Sequence, residues 1–217
     1  MFEVSPLFPT PVGKIKYEHH ENIKKSILNF IVDNPELEVD GITSVELKHF
    51  FNTSNKEEKG FFDYVDDLNF KQFLNNSAID FMRYVMGLEV EDVVITDSWL
   101  NRCYEGGYQR FHSHANSFIS GTYYINFDSE NHSPLKFLNP NFGQASLPFM
   151  QLNTQSFTDF NHRETICNFI DEGSLILWPS HLDHGYDINM KDDRITLSMN
   201  IMPSELRSGP YSFKIQK

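Results

Sequence analysis

The sequence has few cysteines, few basic residues and no long apolar runs, and each shortage excludes a class of protein. Only two cysteines, Cys103 and Cys167, occur among 217 residues, which excludes a disulfide-stabilised scaffold. The 18 Lys and Arg residues are outnumbered by 30 Asp and Glu residues. The resulting net charge of −12 argues against a nucleic-acid partner, because phosphate contacts require clustered cations. No apolar stretch approaches the roughly 20 residues of a membrane-spanning helix.

The same features set the expected location and partners. The N-terminal segment MFEVSPLFPTPVG lacks the basic and apolar regions of a signal peptide. Two distant thiols fit a reducing compartment, so we expect a cytoplasmic protein with no membrane partner. The acidic charge weakly favours neutral or cationic substrates. The oligomeric state stays open, and a homo-oligomer is compatible with the sequence.

What the sequence does contain is ample material for a folded core. Hydrophobic residues make up 40% of the chain and aromatic residues 14%. Apolar residues at helical spacing predict helices over 21–34 and about 68–86, and Gly87 stands where a helix would end. Without repeats or linkers, the pattern predicts one domain over 1–217, with a mixed helical part over about 1–90.

Short β-rich runs separated by turn residues fill the chain from about 91 to 202. In the last run, Ile195, Leu197, Met199 and Ile201 alternate with polar residues. Alternation of this kind predicts a mainly β fold with flanking helices, either a double-sheet jelly roll or a closed barrel with a polar interior. Residues 139–164 fit no element and are expected to form a long insertion near the active site. The predicted strands are 93–103, 108–114, 118–127, 134–138, 165–170, 174–178 and 194–202.

Three of the nine histidines form a candidate metal site. His112 and His114 are two residues apart in a predicted strand, so both imidazoles would project to the same side. His184 follows a buried strand and a short turn. Neutral imidazole is a ligand for Fe, Zn, Cu and Ni, and the pattern therefore predicts a transition-metal site.

Arg194 and Thr196 lie on the polar side of the last long predicted strand, starting ten residues after His184. A guanidinium and a hydroxyl in this arrangement can together bind a carboxylate, the guanidinium in bidentate fashion. The alternative is that Arg194 forms an ordinary salt bridge with an acidic neighbour, namely Asp183, Asp187 or Asp193.

The order of these residues resembles that of the 2-oxoglutarate/Fe(II)-dependent oxygenases, in the prolyl-4-hydroxylase-like branch. More narrowly, the chain is similar to a family of such oxygenases from bacteria and phages. The resemblance implies a double-stranded β-helix. It also implies iron(II) bound by His112, His114 and His184, and 2-oxoglutarate bound by Arg194 and Thr196. The segments that carry it are LFPTPV near the start, SWLN at 98–101, HSHANSFISGTYYI at 112–125, GSLILWPSHLDHG from 173 and RITLSMN ending at 200.

One residue departs from the superfamily pattern. The position two after the first histidine is His114, where the superfamily has Asp or Glu. A three-histidine site would leave the charge of Fe(II) uncompensated before the dianionic co-substrate binds. Two alternatives stay open at this point: Asp183 reaches the metal instead, or the site is a degraded, non-catalytic one.

The resemblance also implies an activity and supporting residues. The expected reaction uses dioxygen and oxidises a C–H bond while 2-oxoglutarate is decarboxylated to succinate, with hydroxylation as the default outcome. Tyr104, Tyr124 and Asn116 are candidate contacts of 2-oxoglutarate. The substrate, a small molecule or a protein side chain, is not specified by the sequence. The competing hypotheses are a metal-binding cupin barrel and a non-catalytic binding or structural barrel.

Overall fold

The computed structural model describes residues 9–51, 61–140, 155–156 and 162–215. Two helices are long: α1 spans His20–Asp33, and α2 spans Leu68–Asp80 and continues into a π-helical turn over Phe81–Val85. Short 3-10 helices span Pro35–Leu37 and Phe61–Asp63. None of the helices in the described part of the chain is both long and apolar enough to cross a membrane.

Both long helices form where the sequence predicts them, for local physical reasons. Ile23, Ile27 and Ile31 recur at helical spacing in α1 and are buried. At the start of α2, the carboxylate of Asp67 accepts a hydrogen bond of 2.9 Å from the backbone N–H of Phe70. Gly87, just after the π-helical turn, has a φ of +70°, a conformation that glycine adopts without steric cost. The predictions of helices over 21–34 and 68–86 are confirmed.

In the described residues, thirteen strands form two main sheets and a terminal hairpin. The larger sheet has seven antiparallel strands in the order β1-β9-β6-β11-β4-β3-β2, and the smaller has four in the order β5-β10-β7-β8. The predicted mainly β jelly roll is confirmed by this architecture. The strands are β1 Gly13–Lys16, β2 Val39–Asp40, β3 Leu47–Phe50, β4 Val93–Cys103, β5 Gln109–His112, β6 Ile119–Asn126, β7 Lys136–Leu138, β8 Glu164–Ile166, β9 Ser174–Pro179, β10 His184–Tyr186, β11 Arg194–Pro203, β12 Glu205–Ser208 and β13 Tyr211–Lys214.

The larger sheet separates an apolar layer from a polar cavity. On one side, Leu197 and Met199 of β11 belong to a buried cluster with Ile27 of α1 and Leu74 of α2. On the other side, polar residues of β11 line a cavity. An apolar cluster that includes Trp178 and Phe137 joins the larger sheet to the smaller one beside that cavity. The helices therefore cover one face of the larger sheet, and the opposite face is free to hold a site.

The structure adds strands that the sequence analysis did not predict. These are β1, β2, β3, β10 and the β12–β13 hairpin. Strands β1 to β3 come from the first third of the chain and join the same sheet as β4 and β11. The first third therefore contributes strands to the larger sheet in addition to helix α1. Strand β5 ends at His112, two residues earlier than predicted. Most of the predicted insertion, residues 141–154 and 157–161, lies outside the described residues.

Candidate metal and co-substrate site

The structure brings the three predicted histidines together. His112 ends β5 and His184 begins β10, and these two residues are paired across neighbouring antiparallel strands. His114 lies in the loop after β5, where its backbone N–H donates to the carbonyl of Ser180 at 2.9 Å. Each histidine offers a ring nitrogen, and these nitrogens all lie within 4.8 Å of one another. That spacing suits three ligands of one metal ion.

Hydrogen bonds orient all three imidazoles in the same sense. The Nδ1 atom of His112 donates to the backbone carbonyl of Arg110 at 2.9 Å, and that of His184 donates to the carbonyl of Leu182 at 3.0 Å. Nδ1 of His114 contacts the side-chain oxygen of Asn200. A carbonyl oxygen can only accept, so each Nδ1 carries the proton and each Nε2 keeps a free lone pair. Metal-binding histidines are typically held in this way.

Burial keeps two of these imidazoles neutral. The pKa of His184 is lowered to about 3, mainly by loss of water and also by the neighbouring His112. Burial also lowers the pKa of His114, although the bond to Asn200 acts in the opposite direction. At neutral pH both rings are therefore in the unprotonated form that binds metals.

Asp183 is not part of this group. Its backbone oxygen accepts a hydrogen bond of 2.9 Å from the backbone N–H of Leu138, beside His184. The ligand atoms that approach one another at this place, among the residues the structure describes, are imidazole nitrogens of His112, His114 and His184. The geometry therefore favours the three-histidine alternative over one in which Asp183 supplies a carboxylate.

Arg194 is buried in the same interior and has no acidic partner among the described residues. Its side chain is 2% exposed, and Nε donates to the carbonyl of Ser133 at 2.9 Å. The guanidinium carbon lies 4.0 Å from the ring centre of Tyr186. The nearby acids have other partners: Asp193 pairs with Arg102 at 2.7 Å and Asp187 with Lys136 at 2.9 Å. The alternative of an ordinary salt bridge at Arg194 is therefore not what the structure shows.

One cavity of about 380 Å³ connects the histidines with Arg194 and Thr196. Thr196 is almost fully buried, and its hydroxyl accepts a hydrogen bond of 3.4 Å from Asn101. The cavity is within the size range of sites for small ligands. Its wall also includes Trp99, Gln109, Asn116, Thr122, Leu135, Trp178, Ser198 and Asn200.

The three supporting candidates differ in position. Asn116 lines the cavity, and its amide donates to Asp97 at 3.4 Å. Tyr124 lies beside Arg194, whose guanidinium carbon is 5.4 Å from its ring centre, and burial raises the pKa of Tyr124 to about 12. Neither Tyr124 nor Tyr104 is among the residues of the cavity wall, and the hydroxyl of Tyr104 donates to Glu38 at 3.2 Å, so its position does not support the prediction that Tyr104 contacts 2-oxoglutarate. The reason is strand alternation: Trp99 and Asn101 of β4 face the cavity, so position 104 would belong to the opposite face even if the strand continued.

Tyr186 and His49 are among the residues of the cavity wall that sequence reasoning missed. Tyr186 stacks on Arg194 and lies two residues after His184 in β10, so the i, i+2 rule would have found it had β10 been predicted. His49 pairs with Asn101 across β3 and β4, and burial lowers its pKa. No local signal marks His49, because β3 was not predicted.

The part of the chain that forms this site matches a known protein family. Residues 97–200 match the model of a family described as "Putative 2OG-Fe(II) oxygenase". No curated protein sequence matches the chain. Among solved structures, HygX of Streptomyces hygroscopicus, crystallised with nickel, 2-oxoglutarate and hygromycin B, aligns with a TM-score of 0.59 at 12% identity. That alignment covers 90% of this chain and 84% of HygX.

Two hydroxylases show the same fold. A Pseudomonas putida prolyl-4-hydroxylase has a TM-score of 0.52 at 10% identity, covering 88% of this chain and 92% of the hydroxylase. A Trichoplax adhaerens prolyl hydroxylase, solved with a hypoxia-inducible-factor peptide, has a TM-score of 0.54 at 12% identity, covering 87% and 82%. The matched residues 97–200 contain all three histidines, Arg194 and Thr196. The family match over residues 97–200 and the shared fold together support a 2-oxoglutarate- and Fe(II)-dependent oxygenase.

Proposed function

We propose that His112, His114 and His184 hold the iron(II) ion and that Arg194 and Thr196 bind the distal carboxylate of 2-oxoglutarate. The observation that carries this assignment is a buried guanidinium without an acidic partner among the described residues, opening on the same cavity as three convergent imidazoles. A buried cation is costly unless an anion compensates it. A dicarboxylate that reaches from the metal to Arg194 would supply that anion.

The donor set fits iron(II). Three imidazole rings, each with Nδ1 hydrogen-bonded to a carbonyl oxygen, are suitable ligands for this ion. His112, His114 and His184 would hold the ion and leave its cavity side open to the co-substrate. When bound, iron and 2-oxoglutarate supply the oxidation of a substrate C–H bond by dioxygen, coupled to the release of carbon dioxide and succinate.

The residues of the cavity would bind and orient the co-substrate and shield the metal site from water. Arg194 and Thr196 fix one end of the co-substrate, while the ring of Tyr186 holds the guanidinium in place. Trp99 and Trp178 provide apolar wall beside the histidines, which limits the access of water. Because no carboxylate is among the three ligands, the doubly negative co-substrate would compensate both the metal and Arg194. Binding of 2-oxoglutarate is therefore expected to depend strongly on metal.

We propose hydroxylation as the outcome and a small molecule or a protein side chain as the substrate. HygX was crystallised with hygromycin B and the Trichoplax enzyme with a peptide, so this fold admits both kinds. The acidic net charge supports a partner other than nucleic acid. The two free, buried cysteines are compatible with the proposed cytoplasmic location.

A thermal-shift measurement with Mn(II), with and without 2-oxoglutarate, tests the assignment. A ligand that binds the native state raises the melting temperature by mass action. We expect Mn(II) to raise it and 2-oxoglutarate to raise it further only when metal is present. A response to metal alone would favour a cupin-type barrel, and no response to either would favour a non-catalytic barrel.

Pyruvate provides a matched control for the role of Arg194. It carries the same 2-oxo acid group as 2-oxoglutarate but has no distal carboxylate. We expect pyruvate to produce a clearly smaller metal-dependent shift at equal concentration. Equal shifts for the two acids would mean that Arg194 does not bind the distal carboxylate.

A further inference from the structure

The three histidines are supported in two different ways. His112 and His184 each donate from Nδ1 to a backbone carbonyl two residues earlier in the chain, Arg110 and Leu182 respectively. His114 instead contacts the side-chain amide of Asn200, 86 residues away on β11. His114 also lies in a loop, so no strand geometry fixes its ring. The hydroxyl of Ser120, on β6 of the same sheet as Asn200, also lies 3.4 Å from this Nδ1 atom. The orientation of His114 therefore depends on side chains of the opposite sheet, with Asn200 in the shorter contact.

Asn200 is itself oriented by a carboxylate. Its amide N–H donates to Asp97 Oδ2 at 3.3 Å, and the two residues are paired across β11 and β4. An ionised carboxylate only accepts, so it selects the nitrogen end of the amide and leaves the oxygen end for His114. That oxygen in turn requires a proton on Nδ1 of His114. The chain Asp97–Asn200–His114 therefore specifies one tautomer.

We propose that Asn200 and Asp97 are positioning residues of the metal site, which hold Nε2 of His114 toward the ion and place a negative charge behind it. The proposal rests on the proposed metal role of His114. A carboxylate at position 114 would give the ion its charge directly. Here the carboxylate is two hydrogen bonds away, and it polarises the amide and the imidazole in sequence. Asp97 thus partly replaces the charge that His114 does not carry.

The experiment compares three variants by two measurements on the full-length, metal-free protein. Long-range proton–nitrogen NMR correlations report the tautomer of each histidine, and Mn(II) titration reports metal affinity without co-substrate. Asn200→Leu removes the amide with little change in size. Asp97→Asn removes the charge alone. Asn200→Asp keeps an acceptor for Nδ1 of His114. Asp33→Asn, on the exposed side of α1, is the control with the same change in net charge.

We expect His114 of the unaltered protein to carry its proton on Nδ1. In Asn200→Leu, the tautomer should shift and Mn(II) affinity should fall about 10- to 100-fold, the usual effect of losing such a support. Asp97→Asn should weaken Mn(II) binding less than Asn200→Leu does, and Asp33→Asn should not change it. Asn200→Asp should retain the Nδ1 tautomer.

An unchanged tautomer together with unchanged Mn(II) affinity in Asn200→Leu would overturn the proposal. The outcome is distinguishable from failure of the metal site itself. If His112→Ala and His184→Ala abolish Mn(II) binding while Asn200→Leu does not, the metal site stands and the positioning role is wrong. If the unaltered protein binds no Mn(II), the proposed function fails, and the tautomer measurement still decides what orients His114. Circular dichroism on each variant checks that it is folded.

Discussion

The two faces of β11 are both buried, yet they have opposite chemistry. Toward the helices, Ile195, Leu197, Met199 and Ile201 are at most 1% exposed and belong to the main apolar cluster. Toward the smaller sheet, four polar residues face the cavity, and three of them are at most 5% exposed. They are Arg194, Thr196, Ser198 and Asn200.

The comparison separates what folding requires from what binding requires. Burial of the apolar face stabilises the fold, because apolar side chains are removed from water, and these side chains need no further partner. The polar face costs free energy unless its groups are paired, and Arg194 has no acidic partner among the described residues. A buried surface that is incomplete in the free protein indicates a ligand. Substitutions on the two faces should therefore affect different measurements.

The largest expected effect is on metal binding, at the polar cavity. His112→Ala, His114→Ala and His184→Ala should each abolish Mn(II) binding, because a site with three protein ligands does not tolerate the loss of one. Calorimetric titration of the metal-free protein measures this. His181→Ala is the matched control, since His181 is exposed and only three residues before His184. Retained binding in His114→Ala, with loss in Asp183→Ala, would replace the three-histidine site by one with a carboxylate.

On the apolar face, Leu197→Ala should reduce stability without changing the site. Leu197 is fully buried in the main cluster, so its truncation should lower the free energy of unfolding by about 2 to 5 kcal/mol. Urea denaturation measures the loss, and the folded variant should keep the Mn(II) affinity of the unaltered protein. Val32→Ala, at a residue that is 76% exposed, should change stability by less than about 0.5 kcal/mol. A loss of metal affinity in Leu197→Ala would show that the two faces are coupled.

Local patterns predicted the centre of the fold and missed its edges. Strand β4 was predicted with its observed ends, and β11 to within one residue, because both are long β-rich runs and β11 also alternates between polar and apolar residues. Strands β2 and β10 have two and three residues, which is too short for a periodic signal. They form because neighbouring strands supply hydrogen-bond partners, and that information is not local.

The candidate site is likewise divided between residues that local patterns predicted and residues that only tertiary contacts reveal. His112, His114, His184, Arg194 and Thr196 were predicted as candidates from their spacing and from a resemblance to a known family. The partners that orient them, Asn200 for His114 and Tyr186 for Arg194, are tertiary contacts. The position of Tyr104 has a different origin, since Trp99 and Asn101 are the residues of β4 that face the cavity and strand alternation assigns position 104 to the opposite face.

The next largest effect is expected at Arg194, and it should be confined to the binding of 2-oxoglutarate. Arg194→Ala should leave Mn(II) affinity nearly unchanged and weaken 2-oxoglutarate binding by about 2 to 4 kcal/mol, as expected for one partner of a buried charge pair. Arg194→Lys should restore only part of the lost affinity for 2-oxoglutarate, because a lysine ammonium cannot make the bidentate contact of a guanidinium. Arg102→Ala is the control, since Arg102 is already paired with Asp193. Calorimetry with the Mn(II)-loaded protein measures all three, and unchanged affinity in Arg194→Ala would leave the cavity without an anion site.

The smallest effect is expected at Thr196. Thr196→Val keeps the shape and the strand preference of the side chain but removes its hydroxyl, which accepts from Asn101 at 3.4 Å. If that hydroxyl also donates to the distal carboxylate, its loss should weaken 2-oxoglutarate binding by about 1 kcal/mol. The same calorimetric titration resolves this difference.

Thr122→Val makes the same chemical change on the same cavity wall. Thr122 is paired with Ser198, two residues farther along β11 from Arg194 than Thr196 is. We therefore expect Thr122→Val to leave 2-oxoglutarate affinity unchanged. If both valine variants weakened binding equally, the general polarity of the cavity would be responsible and not a hydrogen bond from Thr196. If only Thr196→Val did so, the co-substrate carboxylate would be located between Thr196 and Arg194. Arg194, on the polar face of β11, would then pair with the carboxylate of the co-substrate. In the free protein it has no acidic partner among the described residues.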